Sequence, residues 1–162
     1  MKAALSDTTV LSNFAHVERP DLLQALFSPL LVPSSVLQEL ARGEELGSIP
    51  RCRWDWLEVV VPTPSEEALA ARFRRSLGAG ESDGLAVART RGLLVLTDDR
   101  DARLLGKSLG LDISGTLGCL RDLVKRSIVE LSGADLLLTQ MREQGYRSPV
   151  RSLKDLPLGS PG

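Results

Sequence analysis

The chain has 162 residues, enough for one domain with a substantial core and too few for two ordinary ones. Hydrophobic residues make up 43% and charged residues 25%, a globular composition that excludes a disordered or membrane-embedded chain. The formal net charge of −1 excludes a globally basic nucleic-acid binder, so any such contact has to come from a local patch.

Residues 3–5 form a short apolar run ending at Ser6-Asp7, and helical spacing follows from Thr8. Asp7 therefore either caps that helix or stands at the carboxyl end of a strand, where ligands bind. Asn13 and a lone histidine, His16, lie on the helix, and no role is assigned to His16. Pro20 opens a second helical segment whose apolar face is Leu22, Leu23, Leu26 and Phe27. Residues 30–32 are the next strand, closed by Pro33. Ser34 or Ser35 caps the following helix, Ser35 and Gln38 having capping-box spacing. Val36, Leu37, Leu40 and Ala41 form its apolar arc, and Glu39 falls on the border of that arc. Gly43, Gly47 and Pro50 mark a loop, Trp54 and Trp56 cover core, and residues 57–61 are a third strand.

Residues 65–77 read as a helix capped by Ser65, with Arg72, Arg74 and Arg75 near its carboxyl end. Residues 77–83 are a glycine-rich turn into a helix over 84–91, with Glu81 and Asp83 at its start. The apolar run 93–96 suits a strand buried on both faces, and it stops abruptly at Thr97, Asp98, Asp99 and Asp101. Asp98 or Asp99 can cap the helix that follows, whose apolar spacing runs through Ala102, Leu105 and Leu109 to a stop at Gly110. Residues 111–113 are a last short strand. Ser114-Gly115-Thr116 opens a helix with Leu117, Leu120, Leu123 and Val124 inward, ending in Lys125-Arg126. A final helix opens at residues 132–135, carries Leu136, Leu137 and Met141, and stops at Gly145. The polar stretch 149–162 reads as a loose tail, which leaves residues 1–148 as the folded domain. No apolar run approaches the roughly 20 residues that span a bilayer. Asp7 interrupts the amino terminus before a signal-peptide core forms, and Cys52 and Cys119 fit no metal-ligand spacing. These features predict a cytoplasmic protein with reduced thiols.

Strands alternating with helices predict an α/β domain with a central parallel sheet flanked by helices. In that architecture Asp7, Asp98 and Asp99 share the carboxyl edge of the sheet, with Glu39 and Asp83 near helix starts that can border it. Two carboxylates about 5 Å apart at an effective dielectric near 20 repel by on the order of 3 kcal/mol. A hard divalent cation relieves that repulsion, and an oxygen-only donor set selects Mg²⁺ or Mn²⁺. Arg72, Arg74, Arg75, Lys125 and Arg126 are candidate phosphate contacts if the fold brings them to this edge.

The set Asp7-Thr8-Thr9-Val10-Leu11, Val32-Pro33 through Glu39-Leu40, Gly80-Glu81-Ser82-Asp83-Gly84-Leu85-Ala86-Val87-Ala88 and Leu94-Val95-Leu96-Thr97-Asp98-Asp99-Arg100-Asp101-Ala102-Arg103 resembles the ordered motifs of PIN-domain nucleases. The likeness continues through Gly115-Thr116-Leu117-Gly118 and Lys125-Arg126 to Gly145-Tyr146, nearly the whole chain. It looks nearest to the bacterial and archaeal branch related to VapC-type toxins of toxin–antitoxin pairs. The resemblance implies a Mg²⁺- or Mn²⁺-dependent endoribonuclease that forms a homodimer and has an antitoxin partner. It implies catalytic acids at Asp7, Glu39, Asp83 and Asp99, with the metal on Asp7, Asp99 and Asp83. Glu81 competes with Asp83, and Asp98 with Asp99. Thr9 matches a position near the site where the family often has Asn or Ser, which adds it to the RNA-contact candidates. Ser127 stands where the family often has glycine after Lys-Arg. The rival readings are a PIN fold that only binds, and a receiver-like Mg²⁺-binding phosphoacceptor. The latter needs an adjacent acidic pair after the first strand, where this chain has Asp7 alone.

Overall fold

The computed structural model describes residues 2–156. Strand β1 (Lys2–Ser6) is central, with β2 (Phe27–Pro33) and β4 (Leu94–Leu96) on either side. Strand β3 (Glu58–Val60) lies outside β2, and β5 (Ile113–Ser114) outside β4. All four pairings are parallel, in the order β3-β2-β1-β4-β5. The predicted α/β class and parallel sheet are thus present. The first three strands step outward from β1 in one direction and β4 and β5 step outward in the other. The order reverses between β1 and β4, which is where an open α/β sheet leaves a crevice at its carboxyl ends.

Side chains alternate across the sheet with a period of two. Ala4, Leu30, Val32 and Leu96 face a core shared with α1 (Thr8–His16), α2 (Asp21–Leu26), α7 (Thr116–Lys125) and α8 (Leu131–Glu143). Leu5 and Val95 face the other side, against α4 (Pro64–Phe73), α5 (Ala79–Arg91) and α6 (Arg100–Ser108). Cys119 is buried in the first core, and Trp54 and Trp56 pack against it as expected.

Several local expectations change. Helix α3 (Ser34–Glu45) has Pro33 at its N-cap and no side-chain cap, so neither Ser34 nor Ser35 caps it. It also runs through Gly43 before the loop begins. Thr63, not Ser65, caps α4, in a reciprocal box with Glu66. Phe27, placed by periodicity on α2, already belongs to β2. Glu66 then pairs with Arg91 (2.8 Å), which ties α4 to α5 and holds its carboxyl down to about 2.

The largest change concerns α5, which begins at Ala79 rather than Gly84. Its glycines mark close packing, not a turn. A Cβ on Gly84 would lie 2.8 Å from Leu5 Cδ2, and one on Gly80 would lie 3.3 Å from both Glu39 Oε1 and Ser35 Oγ. The Glu81 carboxylate accepts the Gly78 amide (2.9 Å), satisfying a donor that the helix start leaves open. At the other end of the chain, Leu153 is buried, and its amide and the Ser152 hydroxyl both donate to Asp135. Residues 152–153 are therefore docked on α8, where composition suggests a loose tail; residues 157–162 lie outside the described residues.

Helix α7 ends in a Schellman arrangement, with Ser127 N–H donating to Val124 O (3.0 Å) and Ile128 N–H to Leu123 O (2.9 Å). This requires φ +57° at Ser127, a left-handed conformation that costs an L-residue roughly 1–2 kcal/mol. Glycine avoids that strain but loses more entropy on folding, so Ser127→Gly is expected to stabilise the protein by about 0.5–1 kcal/mol. Urea unfolding checks this, and an unchanged or lower midpoint contradicts it.

Candidate functional site

The site grows from Asp7. Because β1 and β4 pair in register as Ser6 with Leu96, the residues that follow each strand emerge side by side. Asp7 is the N-cap of α1, and its Oδ1 accepts from Thr9 N–H (2.9 Å), Val10 N–H (3.4 Å) and Thr9 Oγ1 (2.7 Å). Its Oδ2 accepts from Thr97 Oγ1. Each threonine hydroxyl also accepts a backbone amide, Asp98 N–H on Thr9 across the crevice (2.9 Å) and Asp99 N–H on Thr97 within the loop itself (3.1 Å). Asp7 thus both caps α1 and fixes the loop that carries the other two acids. It is 6% exposed, and burial pushes its carboxyl up to about 7, with the charge of Asp98 adding to the rise.

A small cavity beside Asp7 is lined by Thr8, Thr9, Val36, Glu39, Gly80 and Glu81. No lysine or arginine lines it. Glu39 is exposed and oriented by Thr8 Oγ1, which donates to its Oε2 (2.8 Å). Glu81 is half-buried, and its carboxyl is raised by burial and by the charges of Asp99 and Glu39 against the opposing Gly78 amide. Asp99 caps α6 by accepting from Ala102 N–H (2.8 Å). Asp98 faces away from this cap: Thr116 N–H (2.9 Å), Thr116 Oγ1 (2.5 Å) and Asn13 Nδ2 (3.1 Å) all donate to it. Asp83 is turned to Arg74 (2.8 Å) and does not line the cavity. The structure therefore brings Asp7, Glu39, Glu81 and Asp99 together and separates Asp83 from them.

Among the described residues, no three acidic, histidine or cysteine side chains stand close enough to clasp a single ion. Mg²⁺ does not require that, because it retains several waters and takes one or two carboxylates plus substrate phosphate. The donor set is oxygen only, carries an uncompensated negative charge, and fits a hydrated Mg²⁺ or Mn²⁺.

The expected RNA contacts fare differently. Arg74 is committed to Asp83, while Arg72 and Arg75 are exposed near the end of α4 and line none of the cavities at the acidic edge. Lys125 and Arg126 end a helix that starts at the carboxyl edge and returns to the amino edge. Arg126 Nη1 accordingly meets Leu26 O (3.1 Å), just before β2 begins. Thr9 lines the cavity, but its hydroxyl is engaged by Asp7 and the Asp98 amide, so its first role is to brace the loop. The sequence reading missed Thr8, Thr97, Asn13 and Thr116 as orienting groups. A polar residue beside each acid motif was the available signal. His16 ties α1 to the loop after α3, its ring nitrogens lying 2.8 Å from Ser12 O and 2.9 Å from Ser48 O.

A carboxyl that ionises at pH 3.8 unfolded and near 7 folded holds more protons in the native state across that window. Stability from this group is therefore greatest below pH 4 and falls as pH rises to about 7, by up to about 1.4 kcal/mol per pH unit. Glu66 is ionised in both states above pH 5, so it does not mask the trend. In EDTA, the melting temperature of the wild type is expected to decline from pH 5 to pH 7.5, with a visibly shallower decline for Asp7→Asn. Parallel curves for the two proteins would contradict the burial-raised carboxyl.

No helix among the described residues is long and apolar enough to cross a membrane. No curated protein and no solved structure is significantly similar to the chain. The family model described as DUF3368, PIN domain, matches residues 3–156. With a parallel sheet, a crevice at its order reversal and carboxylates gathered there, the chain belongs to the PIN-domain family.

Proposed function

We propose that this protein is a metal-dependent endoribonuclease and that Asp7, Glu39, Glu81 and Asp99 are its working acids. The observation that carries this reading is the gathering of Asp7, Glu39 and Glu81 around a cavity with no cation in its lining, with Asp99 near enough for its charge to raise the Glu81 carboxyl. The helix starts and hydroxyls on these acids offset only part of their charge, and a divalent cation supplies the rest. Bound there, Mg²⁺ or Mn²⁺ lowers the pKa of water and stabilises charge on the phosphate in in-line attack.

In this reading, Asp7 and Asp99 would hold the metal from the two adjacent strands, Asp7 in its carboxylate form. Glu81 is the third acid in place of Asp83. Glu39, oriented by Thr8 and exposed, ligates directly or through water, or accepts a proton from the attacking water. The Thr9 and Thr97 hydroxyls hold Asp7 and the 97–99 loop in register, so the acids are ordered before substrate arrives. The finer assignment to a VapC-type toxin, with an antitoxin partner and a homodimeric state, rests on the sequence resemblance, and a cytoplasmic location rests on the two cysteines read as reduced thiols.

Purified protein is expected to cleave RNA with Mg²⁺ or Mn²⁺ and to lose the activity in EDTA; cleavage that survives EDTA overturns the mechanism. Glu81→Gln should lower the rate by more than the roughly 10–100-fold typical of an outer-shell loss, while Asp83→Asn loses no more than that. The reverse order of the two variants would return the third position to Asp83.

A further inference from the structure

Beyond the acids, the carboxyl edge carries a second feature, a basic cavity that joins residues of three separate sequence motifs, 94–103, 115–118 and 145–146. A cavity of about 540 Å³ opens between α6, the start of α7 and the loop after α8, within the range of pockets that bury small molecules. Four cations line it, Arg100, Arg103, Lys107 and Arg147, against one carboxylate, Asp98. None of the four takes part in a salt bridge among the described residues, and Arg103 Nη1 is oriented by donating to Thr97 O (2.9 Å). Asp98 is already held by Asn13 and Thr116. The wall between the cations is apolar and aromatic, from Leu104, Leu117 and Tyr146, with Leu104 57% exposed. On α6, residues 100, 103, 104 and 107 fall within about 100° of one another, so one helix face carries three cations around a leucine.

The cavity is joined to the acid site. A smaller cavity shares Asp98, Tyr146 and Arg147 with it, and shares Thr9 with the cavity beside Asp7. On the opposite flank, past Glu39, the cavity lining offers only Arg42, which pairs with Glu45. Cations around an apolar, aromatic wall suit a phosphate chain with an unpaired base, and a duplex keeps its bases stacked inside.

We propose that this cavity binds an unpaired nucleotide of single-stranded RNA next to the cleaved bond, so that the strand enters the acid site from the Asp98 side. Arg100, Arg103, Lys107 and Arg147 hold its phosphates, and Leu104 with Tyr146 contacts the base. The proposal rests on the ribonuclease reading for its orientation relative to cleavage.

The test is fluorescence anisotropy with a fluorescein-labelled single-stranded RNA 12-mer in Mg²⁺ buffer, on full-length protein carrying Asp7→Asn so that the probe is not cut. Adding Arg100→Glu with Lys107→Glu is expected to weaken binding at least tenfold and to reduce the salt slope by about 1.4, two phosphate contacts' worth. Leu104→Asp is expected to weaken binding severalfold. Arg72→Glu with Arg75→Glu, an equal charge change outside the cavity, should alter affinity by less than about threefold. The matching RNA duplex should bind more weakly and be insensitive to Leu104→Asp. Arg72, Arg75, Arg100, Leu104 and Lys107 are exposed, and thermal melts confirm that each variant, and the Asp7→Asn background, is folded. Equal losses from both double variants, or no loss from the α6 pair, overturn the cavity while leaving cleavage by the wild type standing. Binding that depends on α6 in a protein whose wild type never cuts RNA supports the cavity and removes the nuclease reading. Absence of RNA binding altogether, with an Asp/Glu-rich peptide bound through the same residues, overturns both in favour of a protein partner.

Discussion

The carboxylate of Asp7 is the interaction on which this architecture turns. It is buried at the end of the central strand, accepts both available amides at the start of α1, and receives two threonine hydroxyls. Those hydroxyls are also acceptors for the amides of Asp98 and Asp99, so one side chain sets the helix start and the geometry of the loop after β4. Capping and site chemistry are often treated as competing explanations for an acid at a helix start. Here the cap and the crevice meet at one side chain, because α1 begins at the reversal of strand order where the crevice opens.

This arrangement has an electrostatic cost. Burial favours the neutral form of Asp7, and the surrounding acids reinforce that preference in Asp7 and Glu81. Helix N-termini behind Asp7 and Asp99 offset part of it. What remains is a local field that favours a cation, built on strands whose side chains are locked in the two cores. Holding like charges together in this way costs the fold stability.

Glu81 and Asp83 illustrate how much depends on helical phase. Within one helix two residues apart they differ by about 200°, so one that faces the cavity obliges the other to face away. Asp83 therefore meets Arg74 on the α4 side. Gly80 permits this by letting α5 approach Glu39 and Ser35 without a Cβ between them. The glycines that look like loop signals in the sequence are in fact what brings the third acid to the first two.

The sequence alone determined the parallel α/β class, the positions of Asp7, Asp98 and Asp99 at the ends of strands, and the resemblance to PIN domains. These follow from local pattern, because an apolar run, an acid and a helical period are written contiguously. Which member of each acid pair turns inward was not local. It was decided by a helix start five residues earlier than expected, and by Asn13 and Thr116 reaching Asp98 from two other elements. The basic residues were misjudged for a related reason: Arg72, Arg74 and Arg75 cluster in sequence, whereas Arg100, Arg103 and Lys107 are spread over two turns and meet Arg147 only after the chain returns from α8. Adjacency along the chain governs caps and strands. The direction of a side chain depends on where its helix begins and on which neighbour it packs against, and the tertiary structure alone supplies both.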